Sequence, residues 1–177
     1  AVKQALPLIY DYDEKIAQDI KELEEQTDTY EDALGTFLVK LSSQNLSARD
    51  STEAAKLLFL IGEFERIADY ARDITDSARE MHEKKLQFSQ AAQKELRVMI
   101  SAVEEVVEIA VKAFCDNDLS LAAKVDPLEE VIDEMKGTLK KHHIARLQCN
   151  ECTIELGFVF SDIITILERV SDHCSNI

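Results

Sequence analysis

Five long stretches of this sequence place apolar residues at helical spacing, and very little interrupts them. Only four glycines and two prolines occur in 177 residues, whereas alanine, leucine, glutamate and lysine, which all favour helices, are abundant. Aromatic residues make up 6% of the chain and tryptophan is absent. The sequence therefore predicts an all-α protein built as an antiparallel bundle of long helices.

Short polar links divide the pattern into five predicted helices. At about 1.5 Å per residue the second would be ~50 Å long, which suits a bundle. Because the last helix has no stop signal and the first residue is not methionine, we expect the chain to be an excerpt of a longer one. The helices are expected over about residues 8–41, 48–82, 89–115, 118–144 and 154–177, and the core stripe of the first comprises Ile16, Ile20, Leu23, Leu34, Phe37, Leu38 and Leu41.

The sequence contains an internal repeat. FERIADYARDI, which begins at Phe64, returns as LERVSDHCSNI at the end of the chain, so that Glu65 precedes Glu168 by 103 positions. Gly35 likewise precedes Gly137 by 102 positions. We therefore expect two pseudo-symmetric repeats, residues 1–86 with two long helices and residues 87–177 with three, the last one truncated.

The repeated motif carries a stripe of acidic residues. At 100° per residue, Ala68, Ala71 and their apolar neighbours face the core, while Glu65, Asp69 and Asp73 point outward. The second copy places Glu168, Asp172 and Asn176 on the same stripe. Like charges four residues apart on a helix repel, so the repetition of this arrangement favours a bound cation.

The helix before each motif offers further carboxylates. In the second repeat Glu129 and Asp133 are four residues apart, and the Gly35–Gly137 register matches them to Thr27 and Glu31, with Asp28 one step round the helix. Two antiparallel helices with such pairs would form a shallow nest of four carboxylates. Oxygen ligands of this kind suit Mg²⁺, Mn²⁺, Ca²⁺ or iron. The alternative is a solvated acidic face without a ligand.

Other features exclude several functions. A net charge of −15 argues against a nucleic-acid surface, and no apolar run is long enough to span a membrane. Cys149 and Cys152 form one CxxC without the second pair that a zinc site needs, so we interpret the cysteines as ordinary reduced thiols. No catalytic triad, phosphate-binding loop or Glu-x-x-His di-metal motif occurs, so the sequence does not indicate an enzyme.

The motifs resemble those of a known family. Glu65-Arg-Ile-Ala-Asp69 and Glu168-Arg-Val-Ser-Asp172 resemble the paired signature of the PhoU family, and Glu129-Glu-Val-Ile-Asp133 resembles its acidic companion motif. The final residues are most similar to the PhoU-like domain that follows the membrane helices of bacterial sodium/phosphate cotransporters. The resemblance implies two three-helix bundles, a cytoplasmic location that is either free or tethered to the inner face of the cell membrane, and a role in regulating phosphate transport.

The resemblance also implies metal ions, iron or zinc, on the acidic outer faces. Its expected partner is a phosphate transporter or a membrane domain of the same polypeptide, and it leaves homo-oligomerisation open. A metal-free helical adaptor for protein interactions is the alternative function. The implied ligands are Asp28, Glu31, Glu65, Asp69 and Asp73 in the first repeat and Glu129, Asp133, Glu168, Asp172 and Asn176 in the second, whereas Thr27 departs from the family motif.

Overall fold

The computed structural model describes all 177 residues and contains helices and short connections only, without a β-strand. The predicted all-α bundle is therefore confirmed. None of the helices combines the length and the apolarity that a membrane crossing requires. The elements are α1 (Val2–Ala5), a 3₁₀ turn (Leu6–Ile9), α2 (Glu14–Ser42), α3 (Ala48–Glu83), α4 (Gln90–Asp116), α5 (Leu119–Ala122), α6 (Val125–Gln148) and α7 (Ile154–Ser175).

Local sequence signals set the ends of the long helices. The side chains of Asp13, Ser47, Ser89 and Thr153 each accept a backbone N–H from the first turn of the helix that follows. Asn117 ends α4 in a left-handed conformation, with φ of 51°. An asparagine adopts this conformation at low cost, so the chain can turn away from the helix there.

Two predicted helix starts were wrong. The first long helix begins at Glu14 rather than near residue 8, because Asp13 caps it and Pro7 lies in a separate 3₁₀ turn. The predicted fourth helix is split into α5 and α6. Asp118 caps α5, which ends after one turn, and α6 starts at Val125 with Pro127 in its first turn, where the missing N–H of proline is tolerated.

The helices pack as two groups that share a core. Helix α2 lies against α3, whereas α4, α6 and α7 pack against one another, and α3 contacts α7 to join the groups. The largest fully buried side chains come from all parts of this core and include Ile20, Ile74, Leu96 and Phe160. The division into repeats at residues 86 and 87 stays a prediction, because the α3–α7 contact crosses it without a gap in the core.

Part of the predicted core is exposed. In α2 only Ile20 and Leu38 of the predicted stripe are buried, while Phe37 is 60% exposed. The reason is that different elements cover the α2–α3 pair and the α6–α7 pair, and these covering elements differ in length. Helix α4, which packs against both α6 and α7, has 27 residues, whereas the α2–α3 pair is packed against the four-residue α1 and the four-residue 3₁₀ turn. The other stripe residues that are not buried are Ile16, Leu23, Leu34 and Leu41.

Candidate metal centre

Acidic residues of α2 and α3 meet where the two helices lie side by side. Glu24 and Asp28 project from successive turns of α2 and meet Asp69 of α3, and one carboxylate oxygen from each of the three lies within 4.8 Å of the others. Glu65 lies one turn before Asp69 and shares a hydrogen bond with it. These four residues are called the first acidic cluster.

Glu24 is the buried member of the first acidic cluster. Glu24 is only 3% exposed, and its Oε1 accepts a 2.7 Å hydrogen bond from Nη1 of Arg72. Its Oε2 is buried and has no hydrogen-bond partner in the protein. Because buried carboxylate oxygens are almost always paired, this free oxygen beside two other carboxylates indicates a place for a cation.

Burial and repulsion between neighbouring carboxylates raise pKa values in the first acidic cluster. Desolvation and the neighbouring carboxylate of Asp69 raise the pKa of Glu65 from 4.5 to about 7. The pKa of Asp28 is also raised, by desolvation and by the charges of Glu24 and Asp69. A bound cation would relieve this repulsion by stabilising the ionised carboxylates.

Other predicted ligands of the first repeat lie outside this group of close oxygens. Asp73 lies at the surface one turn beyond Asp69. Partial desolvation by the neighbouring side chains, together with the charges of Asp69 and Asp76, raises its pKa. Glu31 contributes no oxygen to the group. The hydroxyl of Thr27 donates to the carbonyl of Leu23 and is therefore occupied within its own helix.

Carboxylates of α6 and α7 form a second acidic cluster, which comprises Glu129, Asp133, Glu168 and Asp172. Burial, followed by the charge of Asp172 and a hydrogen bond with it, raises the pKa of Glu129. Asp133 adds to this effect through its charge. The structure thus brings Glu129 and Asp133 of α6 close to Asp172 of α7, and Glu168 lies one turn before Asp172 on α7.

The second acidic cluster already contains a cation from the chain. The ammonium of Lys136 lies 2.7 Å from Oε2 of Glu168, and Arg169 lies 3.6 Å from Asp172. Glu168 is only 8% exposed, so the prediction that it points outward was wrong. Glu168 lies on the side of α7 that faces α6, where Lys136 neutralises its carboxylate.

Asn176 does not join the second acidic cluster. Its side-chain amide donates a 2.8 Å hydrogen bond to Glu63 of α3, a buried carboxylate that also lies 2.9 Å from Nδ1 of His173. The stripe predicted from helical spacing therefore ends at Asp172. The end of α7 is used instead for contact between the two groups of helices.

Glu24 is not among the predicted ligands, because the prediction took the register between the repeats from their glycines. Glu24 and Asp28 have the same Glu-x-x-x-Asp spacing as Glu129 and Asp133, and both pairs are 105 positions apart. The glycines of the two repeats are 102 positions apart, so aligning them displaces the Glu-x-x-x-Asp pairs by three residues, almost one helical turn. A search for that spacing alone would have found the signal.

Both clusters present carboxylate oxygens, but only the first acidic cluster holds three of them within 4.8 Å of one another. Neither includes a cysteine or histidine ligand, which favours hard cations and those that accept carboxylates, such as Mg²⁺, Mn²⁺, Ca²⁺ or iron, over thiolate-bound zinc. The two clusters differ in how many of their carboxylates are paired with basic side chains of the chain itself. Arg72 reaches only one oxygen of Glu24, whereas Lys136 and Arg169 contact both acids that α7 contributes to the second acidic cluster.

Paired Glu-x-x-x-Asp carboxylates on neighbouring long helices define a class of helical bundle with acidic surface clusters. Comparison with known proteins identifies the family within this class. The family model described as the PhoU domain matches residues 1–78 and 96–177, and the chain belongs to the PhoU family. The family resemblance in the sequence is thereby confirmed, whereas the resemblance to the cotransporter domain stays a prediction.

Two relatives and one solved structure support this assignment. The chain is 32% identical over 121 residues to the phosphate-specific transport system accessory protein PhoU homolog 1 of Thermotoga maritima, a match that covers 68% of this chain and 51% of that protein. It is 24% identical over 181 residues to the corresponding PhoU homolog of Pseudomonas aeruginosa, covering 99% of this chain and 72% of the relative.

The crystal structure of PhoU from Pseudomonas aeruginosa has the same fold. It superposes with a TM-score of 0.88 at 24% sequence identity and covers 99% of this chain and 83% of the crystallised one. The chain thus spans about half the length of the first relative and most of the second.

Proposed function

We propose that this chain is a regulatory domain of phosphate transport whose acidic clusters bind cations and, when loaded, contact a phosphate transporter. The phosphate-transport role rests on family membership and on relatives that are named as accessory proteins of a phosphate-specific transport system. The cation role rests chiefly on one observation, the unpartnered buried Oε2 of Glu24.

The residues of the first acidic cluster fit a metal ion. Three oxygens from Glu24, Asp28 and Asp69 are close enough to contact one cation, and Glu65 lies beside Asp69 at the edge of this group. A cation would supply positive charge that these carboxylates lack. The second acidic cluster would bind a cation more weakly, because Lys136 already neutralises Glu168.

Metal analysis tests the cation role. The purified chain, stripped with EDTA and dialysed against Mn²⁺, Fe²⁺ or Zn²⁺, is expected to retain metal when analysed by plasma mass spectrometry. Glu24→Gln and Asp69→Asn should each lower the retained metal, whereas Asp19→Asn, an exposed change on α2, should leave it unchanged. Equal retention in all variants, or none in the native chain, would refute the metal site.

A binding experiment tests the regulatory role. Membrane vesicles that contain the phosphate transporter of the same organism are sedimented with the chain, in the presence of Mn²⁺ or of EDTA. Cation-dependent sedimentation supports the proposal. Binding that persists unchanged in EDTA would instead favour the metal-free adaptor, and no binding in either condition would refute the transporter as partner.

The resemblance of the C-terminal residues to a cotransporter domain adds a more specific hypothesis, in which the partner is a membrane domain of the same polypeptide. It places the chain at the inner face of the cell membrane. Sequencing the gene upstream of the codon for Ala1 tests it. Membrane-spanning segments encoded in the same reading frame would support this hypothesis, and their absence would restrict the partner to a separate protein.

A further inference from the structure

A small cavity lies on the side of the molecule where α4 and α7 begin, among residues that belong to neither acidic cluster. Its volume is about 150 Å³. Its wall includes Ser89 and Ala92 of α4, Arg146 of α6, and Cys152 and Leu156 at the start of α7. This space is called the α4–α7 cavity.

Arg146 is the buried charged group in the wall of the α4–α7 cavity. Arg146 is only 8% exposed. Its guanidinium lies over the ring of Phe160, and its Nη1 donates a 2.9 Å hydrogen bond to Glu95. Its Nη2 is buried and has no acceptor in the protein. A buried guanidinium donor without an acceptor is costly, so an acceptor from outside the chain would stabilise it.

Two helix N-termini meet at the α4–α7 cavity. The hydroxyl of Ser89 accepts the N–H of Ala92 at 3.3 Å, and the hydroxyl of Thr153 accepts the N–H of Leu156 at 3.2 Å. The first turn of each helix has further N–H groups without an intrahelical acceptor. The positive ends of both helix dipoles therefore add to the guanidinium of Arg146 in attracting an anion.

Two carboxylates oppose an anion at this position, and neither removes the attraction. Glu95 pairs with Nη1 of Arg146 and so offsets part of the guanidinium charge, but this contact leaves Nη2 of Arg146 without an acceptor. Glu151 is the only carboxylate in the wall of the α4–α7 cavity and is exposed to solvent, which screens it.

The size of the α4–α7 cavity limits the ligand. At about 150 Å³, the α4–α7 cavity has room for a tetrahedral oxyanion. We propose that the α4–α7 cavity binds a small oxyanion of the inorganic phosphate class, held by Nη2 of Arg146 and by the first-turn N–H groups of α4 and α7.

Titration with inorganic phosphate tests this proposal. The melting temperature of the chain is followed in EDTA, so that phosphate held by metal ions does not contribute, with chloride added to keep the ionic strength constant. The native chain is expected to show a saturable rise in melting temperature. A parallel titration with sulfate, which has the same shape, determines whether the α4–α7 cavity discriminates between oxyanions.

Two variants and a control decide the outcome. Arg146→Gln should weaken the apparent affinity for phosphate about tenfold or more, because a charge-assisted hydrogen bond is lost. Ser89→Asp keeps a good helix cap and places a carboxylate beside the α4–α7 cavity, so it should abolish the response while the helix content measured by circular dichroism stays native. Arg49→Gln, the same charge change at an exposed position, should have no effect.

The proposal is overturned if the native chain shows no saturable response to phosphate, or if either Ser89→Asp or a folded Arg146→Gln variant responds as the native chain does. If Arg146→Gln fails to fold, Ser89→Asp alone decides between these outcomes. Because the measurement is made without metal, its result does not depend on whether the acidic clusters bind cations.

Discussion

Glu63 of α3 and His173 of α7 are in contact although 110 residues separate them, with 2.9 Å between Oε2 and Nδ1. The ring of His173 also stacks on Tyr70, with 5.6 Å between ring centres. Asn176 donates to the same oxygen of Glu63. These contacts join the first group of helices to the second through a buried carboxylate and a half-buried imidazole, and so give the α3–α7 interface a defined register.

We expect Glu63→Ala to lower the free energy of unfolding by about 1–3 kcal/mol, because it removes the acceptor of two hydrogen bonds. Urea denaturation measures the loss. A double-mutant cycle with His173→Gln should give a coupling free energy of about 0.5 kcal/mol or more. Glu53→Ala, an exposed change on the same helix, should cost much less, and additive effects of Glu63 and His173 would contradict the contact.

Lys136→Gln should have opposite effects on stability and on cation binding. Without metal, we expect a loss of about 3 kcal/mol in the free energy of unfolding, because the buried carboxylate of Glu168 loses the ammonium 2.7 Å away. Added Mn²⁺ should recover more stability in this variant than in the native chain, because a cation can replace the ammonium. Thermal denaturation with and without Mn²⁺ measures both effects.

The double variant Lys136→Gln/Glu168→Gln is the control for this prediction. It has no buried charge to neutralise, so its stability should respond little to Mn²⁺ at the second acidic cluster. A Lys136→Gln variant that is as stable as the native chain without metal would contradict the importance of the ion pair.

Stability without metal should decrease as the pH rises from about 4.5 to about 7. In this window the folded state holds a proton on Glu65, whose pKa is raised to about 7, while the unfolded state, with the ordinary pKa of 4.5, has released it. The folded state therefore binds more protons, and its stability falls with increasing pH. The raised pKa values of Asp28 and Glu129 act in the same direction.

Melting temperatures in EDTA between pH 4.5 and 8 test this dependence on pH. Glu65→Gln should flatten the decrease, because glutamine does not titrate, whereas Glu22→Gln on the exposed side of α2 should preserve it. A native slope that Glu65→Gln leaves unchanged would show that Glu65 does not titrate with the shifted pKa.

Glycine-to-alanine changes in the helices should destabilise the protein at one position and stabilise it at two others. A Cβ at Gly157 would lie 2.8 Å from Nε2 of His143, whose ring is packed against Phe160 with 5.0 Å between ring centres. We expect Gly157→Ala to cost about 1–3 kcal/mol through overpacking. Gly62 and Gly137 have no atom within 4 Å of such a Cβ, so alanine there should stabilise by up to about 1 kcal/mol through helix propensity.

Chemical denaturation of the three single variants measures this difference. Each variant introduces the same methyl group into a helix, so the Gly62 and Gly137 variants control for helix propensity. A stabilising Gly157→Ala would mean that the ring of His143 moves aside easily.

Helical periodicity in the sequence correctly predicted an all-α bundle and the core-facing side of α3, where Ala68, Ala71 and Ile74 are buried. It also found most of the carboxylates that the structure brings together. It did not predict the exposure of Phe37, because periodicity identifies an apolar face and not the helix that covers it. Nor did it find Glu24, since the register between repeats depended on which residues were aligned.

The sequence by itself determined the helices, because spacing, caps and the near absence of glycine and proline act over a few residues. It also determined the Glu-x-x-x-Asp pairs, since their separation along one helix is local geometry. Only the tertiary structure decided that Glu24 is buried with a free oxygen, that Lys136 neutralises Glu168, and that Arg146 lines one cavity together with the first residues of α4 and α7. Each depends on which helices become neighbours, and burying the apolar faces decides that over the whole chain.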